Sequence, residues 1–188
     1  CISFYPSKNL GAFGDAGMLV TNNDALAEKI RMIISHGSKK KYFHEILGVN
    51  SRLDSLQAAI LDVKLKHLDE YCDSRTTAAG KYNEKFKGIF ETPYVMPGAV
   101  HIYHQYSIRV KNRDKMQEYL KDNGIPSMIY YPVPLHLQEA YKYNYKTGDF
   151  PVSEEIAQDI ISLPIHTEMD DEQINIITSK VIEFNSKQ

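Results

Sequence analysis

A lysine stands in a short loop at Ser7-Lys8-Asn9, directly after the apolar run Ile2-Ser3-Phe4-Tyr5 and before a glycine-rich turn at Gly11, Gly14 and Gly17. Burial or a neighbouring cation lowers a lysine's pKa and releases a neutral amine able to act as nucleophile and base. Attack on a carbonyl carbon to form a Schiff base needs such an amine. The opposing reading is plain: lysine is rarely buried, and a lone loop lysine is ordinarily solvated. Spacing alone does not choose between the two. Other clusters point less far. His101 and His104 lie three apart on an expected strand, hence on opposite faces, which disfavours a metal pair. Lys39-Lys40-Lys41 reads as a solvated loop, with a substrate-phosphate contact as the alternative. Asp170-Asp171-Glu172 suits the positive end of a helix and needs no catalytic role.

These groups must be positioned by the elements around them. The opening run reads as the end of a buried strand whose neighbours lie upstream. With Cys1 rather than Met at the start, the expectation is a fragment of a longer protein. Ala16 to Thr21 reads as a second short buried strand. Asn22-Asn23-Asp24 supplies capping side chains, and Leu26, Ile30, Ile33 and Ile34 give helical spacing over 24–36, stopped by Gly37. Residues 37–50 read as a polar loop. From Arg52 the helical period returns through Leu53, Leu56, Ile60, Leu61, Leu65 and Leu68 to Tyr82 and Phe86, predicting a long or kinked helical region over 52–87. Alternation from Val100 to Val110 predicts a strand, followed by a helix over 113–122 with Gly124 as its C-cap. Ile125 to Tyr131 reads as another strand, which Pro132 and Pro134 end. Two more helices are predicted, near 153–162 with Ser153 as N-cap, and over 170–185 with Asp170 and Gln173 forming a capping box. Tyr141, Tyr143 and Tyr145 read as surface packing. The second half is thus an α+β layer domain.

Composition excludes some partners. The 188 residues carry a net charge of −2, so bulk electrostatics does not favour nucleic acid or an anionic membrane. No apolar run reaches the ~20 residues of a membrane helix. Cys1 and Cys72 form neither a metal-type spacing nor a disulfide framework, which fits a cytoplasmic, reducing compartment.

The string SFYPSKNLGAFGDAG, followed by a strand and a capped helix, resembles the lysine segment of the DegT/StrS-type sugar aminotransferases, which are fold-type I enzymes using pyridoxal 5'-phosphate. Gly48-Val49-Asn50-Ser51-Arg52-Leu53-Asp54-Ser55-Leu56-Gln57-Ala58-Ala59-Ile60-Leu61 is similar to a second block of that family. Two supporting stretches follow in order: His104-Gln105-Tyr106 with Tyr131-Pro132-Val133-Pro134-Leu135-His136, and Gly148-Asp149-Phe150-Pro151 through Ser162-Leu163-Pro164. The resemblance implies an α/β fold. It implies a fold-type I fragment in which 1–70 is the end of the large cofactor-binding domain and the start of the interdomain helix, with 71–188 the small C-terminal domain.

The roles follow residue by residue. Lys8 would carry the cofactor and move the proton between substrate and cofactor carbons. Ser3 would bond the cofactor phosphate. Asn50 would reach the phosphate of the cofactor in the other subunit. Arg52 would lie at that subunit boundary and approach the nucleotide sugar. Tyr131 would line the sugar pocket, across a homodimer. Residue types suit this, because a phosphate takes hydroxyl, amide and cationic donors and a planar guanidinium grips a diphosphate. Plainer alternatives stand beside each role: Ser3 a strand-end hydroxyl, Asn50 and Ser51 helix caps, Arg52 paired with Asp54 or another acid, Tyr131 core.

Many relatives carry His where this chain has Tyr130, which leaves the sugar acceptor open. The implied reaction moves an amine, usually from glutamate, to a keto group of a nucleotide-linked sugar, with no metal. Relatives place upstream an aspartate for the pyridine nitrogen and loops for the phosphate. The expectation is therefore that this chain alone is inactive or needs an upstream segment. Rival readings are a non-catalytic dimerisation or binding module of the same fold, a related sugar dehydratase (where a histidine replaces the lysine, so Lys8 argues against it), and an unrelated nucleotide-binding α/β protein.

Overall fold

In a computed structural model, which describes residues 1–187, the chain divides into two units, Cys1–Asp69 and Glu70–Gln188. In the first unit β1 (Ile2–Ser3) pairs antiparallel with β2 (Gly17–Met18), in the register Ile2 with Met18 and Ser3 with Gly17. The chain between them folds back on Phe4, whose amide donates to Ala16 O at 2.9 Å and whose carbonyl accepts from Ala12 N at 2.8 Å. Phe4, Ala12 and Leu61 form a small core with Leu10 and Ala16 against it. The expected burial of both strands does not hold. Ile2, Met18, Leu19 and Val20 are exposed, because a two-stranded sheet leaves these faces uncovered by any described residue.

Helix α1 (Asp24–Ile33) starts where Asn23 Oδ1 accepts from Leu26 N at 3.0 Å. The stretch expected to be a loop over 37–50 contains a hairpin, β3 (Ser38–Lys40) with β4 (Phe43–His44). Its base is closed by Gly37 and Gly48. A Cβ on Gly37 would lie 1.7 Å from Ile46 O, and one on Gly48 would lie 2.1 Å from Gly37 N. Only glycine fits this backbone-on-backbone contact. The long helical region is two helices, α2 (Ser55–Leu65) and α3 (Leu68–Phe86). Most of the apolar stripe on α2 is exposed, Leu61 alone being buried there.

The second unit is built around the antiparallel pair β5 (Tyr106–Arg109) and β6 (Ile160–Leu163), with α3, α4 (Arg113–Asp122) and α6 (Asp171–Ser186) contributing to its core. Tyr82, Phe86, Tyr106, Ile108, Met116, Leu120, Ile161, Ile174 and Val181 are fully buried. The Tyr82 and Tyr106 rings stack at 4.7 Å, and both phenols find acceptors, Pro164 O at 2.8 Å and Asn83 Oδ1 at 2.7 Å. Burial pushes both phenols well above the usual tyrosine range.

Three expectations need correction here. The strand predicted from Val100 begins only at Tyr106, since Tyr103 adopts φ +43 and donates its amide to His101 Nδ1 at 2.9 Å, which turns the chain. The strand predicted over 125–131 is reduced to one bridge, Met128 with Ser162, between Pro126 and Pro132, which have no N–H to offer a ladder. The helix predicted near 153–162 is α5 (Pro151–Asp159), with Phe150 rather than Ser153 as N-cap and Pro151 at its first turn. Its supposed last turn is β6, where Ile160 and Ile161 suit a strand. The capping box of α6 is present: Asp170 Oδ1 accepts from Gln173 N at 2.7 Å and Gln173 Oε1 from Asp170 N at 3.2 Å. Among the described residues no helix is long and apolar enough to cross a membrane, and no disulfide involves Cys1 or Cys72.

Candidate functional site

Lys8 follows β1 in a turn closed by its own amide, which donates to Tyr5 O at 2.8 Å, and the residue is half-buried. Gly11 seats this turn. A Cβ there would lie 2.4 Å from Pro6 O and 2.9 Å from Tyr5 O. Helix α2 braces the far side of the loop. Lys64 Nζ donates to Gly11 O at 2.5 Å, and Gln57 Oε1 accepts from Phe13 N at 2.8 Å. Ser3, on β1, is exposed, and its Oγ accepts from Tyr5 N at 3.4 Å. A hydroxyl that accepts still has its own hydrogen to donate.

Asn50 and Arg52 line one cleft of about 1080 Å³, together with Ile2, Gly17, Met18 and Arg31. The segment carrying them is tied to the end of α1. Val49 N donates to Ile33 O at 2.8 Å, Ser51 N to Ile34 O at 3.0 Å, and Ser35 bridges Asn50. Neither Asn50 nor Ser51 caps α2, whose N-cap is Asp54. Among the described residues no ion pair joins Arg52 to Asp54 or any other acid. Both plainer readings of the pair thus lose their partner. Lys39, by contrast, is engaged by Glu28, while Lys40 and Lys41 lie over the Phe43 and Tyr42 rings at 5.1 and 5.0 Å.

In the second unit Tyr130 and Tyr131 line a pocket of about 510 Å³ with Leu135, His136, Tyr145 and Phe150. Tyr130 is half-buried. Tyr131 is 70% exposed, so it is not core. At the pocket wall the buried His136 bonds Glu154, Nε2 to Oε1, at 2.9 Å. That bond, reinforced by the Gly148 and Phe150 amides, holds the Glu154 carboxyl below the usual carboxylate range although burial works against it. Among the described residues no group of three His, Cys, Asp or Glu, whether or not it includes His101 and His104, could hold a metal.

The structure therefore brings Asn50 and Arg52 together, and separately Tyr130 and Tyr131, while Ser3 and Lys8 occupy the strand and turn of the first unit. Gly11 stands in the glycine-rich turn read from the sequence, whereas the bracing roles of Gln57 and Lys64 and the pair His136–Glu154 are not singled out there. The only local hint was that Gln57 and His136 sit inside motif strings.

Comparisons with known proteins agree with one another. The family described as DegT/DnrJ/EryC1/StrS aminotransferase matches residues 1–182. A pleiotropic regulatory protein of Geobacillus stearothermophilus is 48% identical over 97% of this chain and 50% of its own. A UDP-N-acetyl-3-dehydro-alpha-D-glucosamine 3-aminotransferase of Acidithiobacillus ferrooxidans is 43% identical over 96% of this chain and 49% of its own. The structure of S. venezuelae DesV in complex with a ketimine intermediate superposes with a TM-score of 0.89 at 38% identity, covering 97% of this chain and 50% of that one. The chain spans about half the length of the curated relatives it matches.

Proposed function

The chain belongs to the DegT/DnrJ/EryC1/StrS aminotransferase family, and from that premise we propose that the whole protein transfers an amine, from glutamate, to a keto group of a nucleotide-linked sugar. The observation that carries this reading is the braced loop of Lys8: a half-buried lysine before a close-packed Gly11, with Lys64 bonded to the Gly11 carbonyl and Gln57 to the Phe13 amide. An ordinary surface lysine has no need of such support.

The residues present fit pyridoxal phosphate. Lys8 brings a primary amine on a braced turn, and hydroxyl, amide and guanidinium donors stand on Ser3, Asn50 and Arg52, with no ion pair from an acid to the arginine among the described residues. Bound pyridoxal phosphate supplies the electron sink for the carbon that loses or gains its amine. Lys8 would hold the cofactor through Nζ, and its amine would serve as the base and acid for the proton at the reacting carbon. Ser3 donates its hydroxyl to the phosphate of its own subunit. Asn50 donates its amide to the phosphate of a second copy's cofactor, and Arg52 faces the diphosphate of the nucleotide sugar at the same boundary. Tyr130 and Tyr131 line the sugar side. A homodimer with shared sites follows from these roles, as does work in the cytoplasm, where nucleotide sugars are at hand. Residues 1–70 then serve as the end of the cofactor-binding domain and 71–188 as the small domain. The 188-residue chain assayed alone is inactive.

The test uses the full-length protein. With pyridoxal phosphate it shows the absorbance of a protonated Schiff base; borohydride fixes the adduct, and peptide mapping finds it on Lys8. Lys8→Ala loses both the band and transamination. A reduced protein with no modified lysine would sink the reading in favour of a non-catalytic module, the alternative that the regulatory relative keeps in view.

A further inference from the structure

Glu154 gathers three donors, from two separate stretches of chain, on one oxygen. Its Oε1 accepts from His136 Nε2 at 2.9 Å, from Gly148 N at 2.8 Å and from Phe150 N at 3.4 Å, and Oε2 accepts a second contact from Gly148 N at 3.0 Å. His136 is 8% exposed and the Glu154 side chain 17%. An ionised carboxylate only accepts, so the imidazole hydrogen lies on Nε2. Around the pair the aromatic rings meet edge to face: His136 with Phe150 at 4.8 Å, His136 with Tyr145 at 6.5 Å, and Tyr145 with Phe150 at 5.7 Å. The segment that His136 ends begins at Tyr130 and Tyr131 and contains Pro132 and Pro134, which remove two backbone rotations between the tyrosines and the histidine. Tyr130, Tyr131 and His136 line the same pocket. Fixing His136 therefore fixes how the two tyrosines are offered.

We propose that Glu154 is a positioning residue: through His136 and the Gly148 and Phe150 amides it clamps the 130–136 segment in the form that presents Tyr130 and Tyr131 to the sugar-bearing substrate. The inference rests on the proposed function for its substrate and on geometry alone for the clamp. Helix α5 supplies the anchor, since Glu154 sits in its first turn behind Pro151, whose ring fixes φ at the helix start. The lowered carboxyl pKa agrees, as a carboxylate with charge-assisted donors stays ionised.

The experiment compares full-length wild type with Glu154→Ala and Glu154→Gln by two readouts. The first is amide exchange at Leu137 and Gln138, whose N–H groups close the turn over Pro134 and Leu135. The second is the pair of half-reactions, followed by the cofactor spectrum. In Glu154→Ala the two amides exchange faster by about tenfold or more, while those of α6 keep their protection. KM for the nucleotide sugar rises by a similar factor, and the amino-donor half-reaction stays within about twofold. Glutamine recovers most of both, because its carbonyl oxygen can accept the two short bonds now made by Oε1, from His136 and Gly148. Should the alanine variant not fold, His136→Gln carries the same comparison from the other side of the bond. Unchanged exchange at Leu137 and Gln138, or equal losses in both half-reactions, overturns the proposal. If the wild type aminates no nucleotide sugar, the functional reading falls, and the exchange arm still decides the clamp.

Discussion

Lys64 Nζ donates to the Gly11 carbonyl oxygen at 2.5 Å, across 53 positions of sequence. The bond joins helix α2 to the loop that carries Lys8. With Gln57 accepting from Phe13 N about two helical turns earlier on the same face, α2 acts as a splint for the lysine loop. Lys64→Met keeps the aliphatic stem and loses the donor. It is expected to lower stability by about 1 kcal/mol and to leave Lys8 in place but less well held. In the full-length protein the yield of borohydride-fixed Lys8 then falls at limiting cofactor and recovers at saturation. A yield unchanged at every cofactor concentration would show that the splint does not matter to the loop.

Gly11→Ala asks more of the same turn. The new methyl would meet two carbonyl oxygens of the backbone, at 2.4 and 2.9 Å, and neither can swing aside as a side chain could. The turn must open, at a cost of about 1–3 kcal/mol. Thermal melting should register that cost, and cofactor attachment at Lys8 should drop even under saturating conditions. This separates the variant from Lys64→Met.

How much of this was legible beforehand depends on whether the cause was local. Asn23 capping Leu26, and Asp170 with Gln173, are three residues apart, so α1 and α6 could be read from the chain itself. The extent of β5 could not, because its register is set by Ile160–Leu163, more than fifty residues on, and that partner itself looked like the end of a helix. Pro132 and Pro134 mark where a strand over 125–131 must end, but that reading passes over Pro126 inside it, and only the geometry shows one bridge surviving at Met128. The site divides the same way. The Lys8 segment and the Asn50–Arg52 block are contiguous strings. The braces Gln57 and Lys64 reach it from 44 and 53 positions away, and Glu154 reaches His136 from 18. None of these partnerships has a period or a motif to announce it.

Arg52 offers a sharper test of the cleft in the first unit. It lines that cleft with Asn50 and has no acid partner among the described residues, so its removal should not unsettle the fold. Arg52→Lys keeps the charge and loses the planar fork. KM for a nucleotide sugar should rise about tenfold, the loss of one charge-assisted bond, with the melting temperature unchanged. If Arg52→Lys instead lowers the melting temperature, the side chain is structural and the substrate role fails.

Acid should release the clamp at Glu154, and the sign follows from its depressed pKa. A carboxyl whose folded pKa lies below its ordinary 4.5 stabilises the fold fully above that value and loses the contribution as pH falls through the folded pKa. The window therefore opens near 4.5 and extends downward. Glu154→Gln does not titrate, so it provides the baseline. Wild type should exceed the glutamine variant in melting temperature near neutral pH, and the gap should close as the solution is acidified below that window. Exchange at Leu137 and Gln138 should follow the same course, since the imidazole then faces a neutral carboxyl rather than a carboxylate. A gap that stays constant on acidification would mean that the charge on Glu154 contributes nothing, and that the three donors are held by shape alone.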